Sequence, residues 1–202
     1  LENTWTVNNL EHVEIEAALD RLIEGIQTEI MFTVRGQSAA GFFPGTEEQR
    51  LAILDAALER GIQWVDLEDD IDAATRDNLA AKARGANISI VASRHETSTP
   101  GAEDITTWIK ESTDKGDLVK FCSMISNPSD ALQLVQASID LKDDDVKFSI
   151  MGLGPGGDWT RLHAPVMGQS LVYATMRTEY ALKDEGRINV RDVRDAWQLL
   201  EY

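Results

Sequence analysis

DLVKFCSMISNPSDALQLVQASIDLKDDDVKFSIMGL, residues 117–153, decides the fold. Its two ends, DLVKFCSM (117–124) and VKFSIMGL (146–153), are near-continuous apolar runs rich in β-branched and aromatic residues. Such runs suit parallel strands covered on both faces, where a half-exposed strand would alternate apolar with polar. Between them, PSDALQLVQASIDL (128–141) has helical period and opens on Pro128, whose fixed φ and missing N–H suit a first helical turn. The stretch therefore reads strand, helix, strand.

The same order extends in both directions. Upstream, VEIEAAL (13–19), EIMFTVR (29–35), IQWVDLE (62–68) and ISIVAS (88–93) read as strands, and downstream SLVYATM (170–176) does. TEEQRLAILDAALERG (46–61) reads as a helix with Thr46 as N-cap, acidic residues in its first turn and a stop at Gly61. Leu51, Leu54, Ala57 and Leu58 fall on one face of it. Further helices are expected from Asp72 to Arg84, stopped by Gly85, and from Ala102 to Lys115, stopped by Gly116. VRDVRDAWQLLEY closes the chain as another. Repeated β-then-α order gives an α/β fold with a parallel sheet, either open and doubly wound or closed as a barrel. With no Pro- or Ser-rich linker, low-complexity tract or repeat in view, residues 1–202 are expected to form one domain.

Bulk composition narrows the function. The hydrophobic fraction of 43% is ordinary for a globular chain, and no apolar run reaches the length of a membrane span. The first residues lack the basic start and apolar core of a secretory signal, and the single cysteine, Cys122, suits a reducing compartment. Both point to the cytosol. A net charge of −16, from 35 acidic against 19 basic residues, repels phosphate and argues against a nucleic-acid partner. The acidic excess is spread over the whole chain, which favours a protein from a salt-rich cytoplasm over an ordinary acidic enzyme.

In a βα barrel the chemistry sits at the C-terminal ends of the strands. Those ends here carry Glu14 and Glu16, Arg35, Glu68, His95 with Glu96, and Lys120, and Arg161 follows a glycine-rich loop. Lys120 lies inside the apolar run LVKFCSM. Burial there disfavours the ammonium form and supplies a neutral amine able to attack a carbonyl. A salt-bridged or snorkelling lysine is the structural alternative. His95 ends its strand, and Glu68 on a neighbouring strand suits a residue that fixes the imidazole tautomer. The glycines of MGLGPGGDWTRL (151–162) match neither a dinucleotide fingerprint nor a P-loop. A turn that brings backbone and Arg161 against a small anion is the better reading. No His/Cys spacing for zinc and no EF-hand loop is present, so no metal is expected.

At these residues the sequence resembles the type I 3-dehydroquinate dehydratases. The landmarks are FTVR (32–35) with a glycine-containing loop, VDLE (65–68), SRHETSTP (93–100), LVKF (118–121), MGLGPGGDWTR (151–161) and MGQSLVYA (167–174). They fall in the family's order from about Glu14 to the last helix. The resemblance implies a (β/α)8 barrel and a lyase that needs no cofactor. In it Lys120 forms a Schiff base with the ring ketone of 3-dehydroquinate. His95 moves the proton, Glu68 orients His95, and Arg161 pairs with the substrate carboxylate. Arg35 and Glu14 match residues that bind the substrate's polar groups, and Arg187, in the stretch matching the family's lid, is a further substrate-binding candidate. A homodimer is expected because dimers are common in the family.

Some positions depart from the pattern. Where the family reads E-x-R-x-D, this chain has Glu14-Ile15-Glu16-Ala17-Ala18, and where its lid reads S-A-P-G-Q, this chain has Lys183-Asp184-Glu185-Gly186-Arg187. Few residues precede VEIEAAL, so an abbreviated or missing first βα unit is expected. Two other readings share the scaffold: a Schiff-base lyase or aldolase acting on a different keto acid, and a non-catalytic homologue.

Overall fold

The computed structural model describes residues 14–37, 41, 43–176, 186 and 188–202. The chain divides into two compact units, one ending at Ser93 and the other beginning at Arg94.

The first unit opens with α1 (Ile15–Ile23), then β1 (Met31–Phe32), α2 (Glu47–Ala57), β2 (Trp64–Glu68) and α3 (Ala73–Gly85), and reaches β3 (Ser89–Glu96), whose last residues belong to the second unit. β1 pairs in parallel with β2, Met31 opposite Trp64 and Phe32 opposite Val65. β2 pairs in parallel with β3 from Trp64 opposite Ser89 to Glu68 opposite Ser93. The pleat sends Val65 and Leu67 one way and Asp66 and Glu68 the other. Val65 and Leu67 are buried in one apolar cluster with Phe32, Ile53, Leu54, Ala57, Leu79, Ala83 and Ile90. That leaves the opposite face of β2 to its two carboxylates. α2 starts where expected: the Thr46 hydroxyl accepts from Gln49 N at 3.3 Å while the Gln49 side chain accepts from Thr46 N at 2.9 Å, a reciprocal capping box. Its buried stripe is Arg50, Ile53, Leu54 and Ala57, with a cation where the sequence reading placed only apolar residues.

The second unit holds α4 (Ala102–Glu111), β4 (Leu118–Met124), α5 (Pro128–Leu141), β5 (Phe148–Leu153), α6 (Trp159–Leu162) and α7 (Val190–Leu199). β4 and β5 pair in parallel from Val119 opposite Phe148 to Met124 opposite Leu153. Val119, Phe121, Phe148 and Ile150 are buried with Ile105 and Ile109 of α4 and with Ala131, Leu134, Ala137 and Leu141 of α5. Lys120 and Cys122 therefore point to the face of β4 away from those helices. α5 occupies the expected residues, with Asn127 and Asp130 forming its capping box and Pro128 at its start.

Three expected strands differ. Of the strand expected over 13–19, Val13 lies outside the described residues and the rest is not a strand: Ile15–Ile23 is α1, with Glu14 at its N-cap. Ile15, Leu19 and Ile23 repeat at helical spacing, and Glu, Ala and Leu are strong helix formers. Arg60 fixes the polar side by pairing with Glu16 at 3.1 Å and Asp20 at 3.2 Å. The strand expected over 29–35 is reduced to Met31–Phe32. Over 170–176 the described backbone makes one isolated bridge, Thr175 with Asn189. There side chains replace ladder rungs: Ile150 N donates to Gln169 Oε1 at 3.0 Å and Ser149 Oγ to the Leu171 carbonyl at 2.7 Å. No helix among the described residues is long and apolar enough to cross a membrane.

Candidate active site

Lys120 is 1% exposed at the middle of β4. Its Nζ lies 4.4 Å from the centroid of the Tyr173 ring, within cation–π range. The carbonyl of the same tyrosine accepts a hydrogen bond from Arg161 Nε at 3.0 Å. Tyr173 thus touches the lysine with its ring and the arginine with its backbone.

Arg161, 3% exposed, is bonded to the loop that leads to it. Its Nη1 donates to the carbonyls of Gly152 at 2.8 Å, Gly157 at 2.7 Å and Gly186 at 3.1 Å. The loop can fold this tightly only with glycine at Gly157, where a Cβ would sit 2.5 Å from the Gly152 carbonyl oxygen. Gly186, with φ +65°, is held against the same loop, where a Cβ would meet the Gly154 carbonyl oxygen at 2.5 Å. The glycine-rich segment is a backbone knot closed by a buried guanidinium, so holding that knot is one role of Arg161.

His95 lies in β3, half-buried. Alternation puts Arg94 and Glu96 on the other face of the strand. There Arg94 Nε bonds Glu96 Oε1 at 2.6 Å and the guanidinium lies 5.7 Å from the centroid of the Trp108 ring of α4. The pair anchors the strand on both sides of the histidine. The segment that follows is tied to the end of β4: Thr99 Oγ1 and Ser123 Oγ are 2.9 Å apart, and Thr99 Oγ1 donates to the Met124 carbonyl at 2.8 Å.

The carboxylate cluster belongs to the first unit. Glu68, 2% exposed, accepts from Arg50 Nη1 at 2.9 Å and from Gly36 N at 3.4 Å, both at Oε2. Its Oε1 forms an ion pair with Arg35 Nε at 3.4 Å. Burial is the main force on this carboxyl and pushes it up, Asp66 and Asp70 add to the rise, and Arg35 and Arg50 oppose it, leaving it at about 7. Arg50 is 1% exposed and donates through all three of its nitrogens: Nε to Glu47 at 2.7 Å, Nη2 to Glu47 at 2.7 Å and Asp70 at 3.1 Å, and Nη1 to Glu68 and to the Val34 carbonyl at 3.2 Å.

The sequence candidates are divided between the two units. Arg35 and Glu68 are brought together in the first unit. In the second, Lys120 and Arg161 are joined through Tyr173. Glu14 stands exposed at the N-cap of α1 and Glu16 pairs with Arg60, so neither is a strand-end residue. Arg187, with Lys183 to Glu185, lies outside the described residues. Sequence reading missed Arg50 and Tyr173. A signal for Arg50 was present: it sits three, four and seven residues before Ile53, Leu54 and Ala57, inside their apolar stripe. Among the described residues no group of His, Cys, Asp and Glu could hold a metal ion.

Comparison with known proteins gives a consistent result. The family model of type I 3-dehydroquinase matches residues 4–202. The 3-dehydroquinate dehydratase of Methanococcoides burtonii is 31% identical over 92% of this chain and 77% of its own length. That of Methanosarcina acetivorans is 27% identical over 90% of this chain and 78% of its own. Among solved structures, the type I 3-dehydroquinate dehydratase of Clostridium difficile, with covalently modified comenic acid, superposes with a TM-score of 0.84. It has 21% identity and covers 95% of this chain and 76% of its own. The enzyme of Geobacillus kaustophilus superposes with a TM-score of 0.80 at 25% identity, over 93% of this chain and 74% of its own. The fold is the α/β barrel of these enzymes, and the chain belongs to the type I 3-dehydroquinase family.

Proposed function

We propose that this chain dehydrates 3-dehydroquinate to 3-dehydroshikimate through a Schiff base on Lys120. The observation that carries the reading is a lysine buried at mid-strand, facing away from the helix-packed side of β4 and lying under an aromatic ring. An interior strand position is costly for a charged side chain with only a structural role, and it favours a group that works as a neutral amine.

The chemistry balances without an added cofactor. The neutral Nζ attacks the ring ketone, and the carbinolamine loses water to give an iminium. The positive nitrogen acidifies the adjacent carbon, His95 takes that proton, and the C–H electrons move into an enamine. Re-forming the iminium expels the β-hydroxyl, to which His95 returns the proton, so a second water leaves. Hydrolysis consumes one water, frees Lys120 and releases the enone product. The role proposed for Glu68 is to orient His95, with Arg35 on the substrate hydroxyls and Arg161 on its carboxylate. The substrate-binding roles of Glu14 and Arg187 rest on the family pattern alone. The working form is proposed to be a cytosolic homodimer.

Conversion of 3-dehydroquinate by the purified chain in concentrated salt, measured as appearance of the conjugated enone, tests the reading. Lys120→Met is expected to abolish turnover while leaving the fold intact. Full turnover in that variant would overturn it.

A further inference from the structure

We propose that Arg50 is a positioning residue for this reaction, holding Glu68 aimed and charged at the end of β2. The inference rests on the working role given to Glu68 above. Arg50 is the one buried residue of the α2 stripe that carries a charge. Its guanidinium fork reaches three places at once. Nη1 meets Glu68 and the Val34 carbonyl, which immediately precedes Arg35. Nη2 meets Asp70, two residues beyond Glu68. Nε and Nη2 together grip Glu47 in a two-pronged pair one helical turn back. One side chain thereby fixes the segment after β1, the end of β2 and the first turn of α2. A lysine, with a single nitrogen, cannot span these acceptors.

The hydrogen-bond sense gives the link to function. Arg50 Nη1 and Gly36 N are both donors, and both end on Oε2 of Glu68, so this oxygen is held as an acceptor. An acceptor carboxylate is what is needed to hold an imidazole N–H. Among the described residues, the charges that act on Glu68 include Arg35 following β1, Arg50 from α2, Asp66 within β2 and Asp70 just beyond it. Glu47 lies behind Arg50, and β3 offers Ser93 in register with Glu68, followed two residues on by His95. Burial, Asp66 and Asp70 favour the protonated acid, whereas Arg35 and Arg50 favour the carboxylate. Losing Arg50 therefore raises the pH at which Glu68 ionises, and losing Asp70 lowers it.

The test compares wild type, Arg50→Met, Arg50→Lys and Asp70→Asn. Two readouts are followed: the acid limb of kcat/KM against pH, and the titration of the Glu68 carboxyl by carbon NMR. The limb and the titration are expected to rise together by about one pH unit or more in Arg50→Met. They should fall in Asp70→Asn and stay near wild type in Arg50→Lys, which keeps the charge but loses kcat with its fork. If Arg50→Met does not fold, the exposed-side variant Asp70→Asn and the conservative Arg50→Lys carry the test. Unmoved limbs and titrations in folded variants, with activity loss tracking only Tm, would overturn the inference. Absence of turnover in wild type would instead remove the reading of Glu68 on which it rests, while the NMR titration would still report whether Arg50 holds its charge.

Discussion

At the scale of single residues, Glu68 makes the sharpest statement. Burial, helped by Asp66 and Asp70, outweighs the two arginines and raises its carboxyl to about 7, and its Oε2 accepts from Arg50 and Gly36. If its carboxylate orients the acid–base histidine, kcat/KM falls on the acid side of about pH 7, where Glu68 takes up a proton. A limb instead near the ordinary glutamate range would show that Glu68 does not control the rate. The same group affects stability with a definite sign. A carboxyl whose folded value lies above its unfolded one is favoured in the fold while protonated. Its contribution is therefore present below about 4.5 and lost as pH rises through about 7. Substitution of His95 by Gln is expected to lower kcat by a factor of about 100 to 10,000, the usual worth of a positioned proton carrier. Lys120 stands out in the sequence as a charged residue inside an apolar run, whereas His95 stands out only as the residue that ends its strand and by its place in the family landmark SRHETSTP. Arg50 was harder to see, since its partners Val34, Glu68 and Asp70 stand 16 to 20 residues away in sequence.

Secondary elements were legible where local chemistry and packing agree. α5 begins and ends where Asn127, Pro128 and the apolar stripe say it should, and α2 follows its Thr46 cap. Both are testable in urea unfolding. Thr46→Ala removes half of a capping box and is expected to cost about 1 kcal/mol. Leu134→Ala hollows the packed face between α5 and the strands and is expected to cost about 2–5 kcal/mol. An equal, small effect of the two would contradict the burial pattern. The misread elements failed for a nameable reason. Over 13–19 a short apolar run satisfied the strand pattern, while the helical repeat emerges only when Leu19 and Ile23 are counted with Ile15. Over 170–176 the composition is that of a strand, yet Gln169 and Ser149 take backbone partners that a ladder would have used. Such competition between side chain and backbone is not visible in composition.

For the whole molecule, charge is the dominant feature. A net charge of −16 makes the folded chain repel itself, and salt relieves that repulsion. Raising salt from about 0.1 M to about 1 M shortens the screening length from about 10 Å to about 3 Å. Tm is expected to climb through that range, and a Tm that falls or stays level would contradict salt adaptation. The α/β class with a parallel sheet was legible from repeated β-then-α order, whereas the barrel family rather than a doubly wound sheet needed the family landmarks. Every strand pairing described is parallel, as the buried apolar runs required. The central claim remains the covalent one at Lys120. Mass spectrometry of the protein incubated with 3-dehydroquinate and borohydride in concentrated salt tests it most directly. A reduced substrate adduct mapped to Lys120 is the predicted result; a folded sample with no adduct, or an adduct on another lysine, would contradict it.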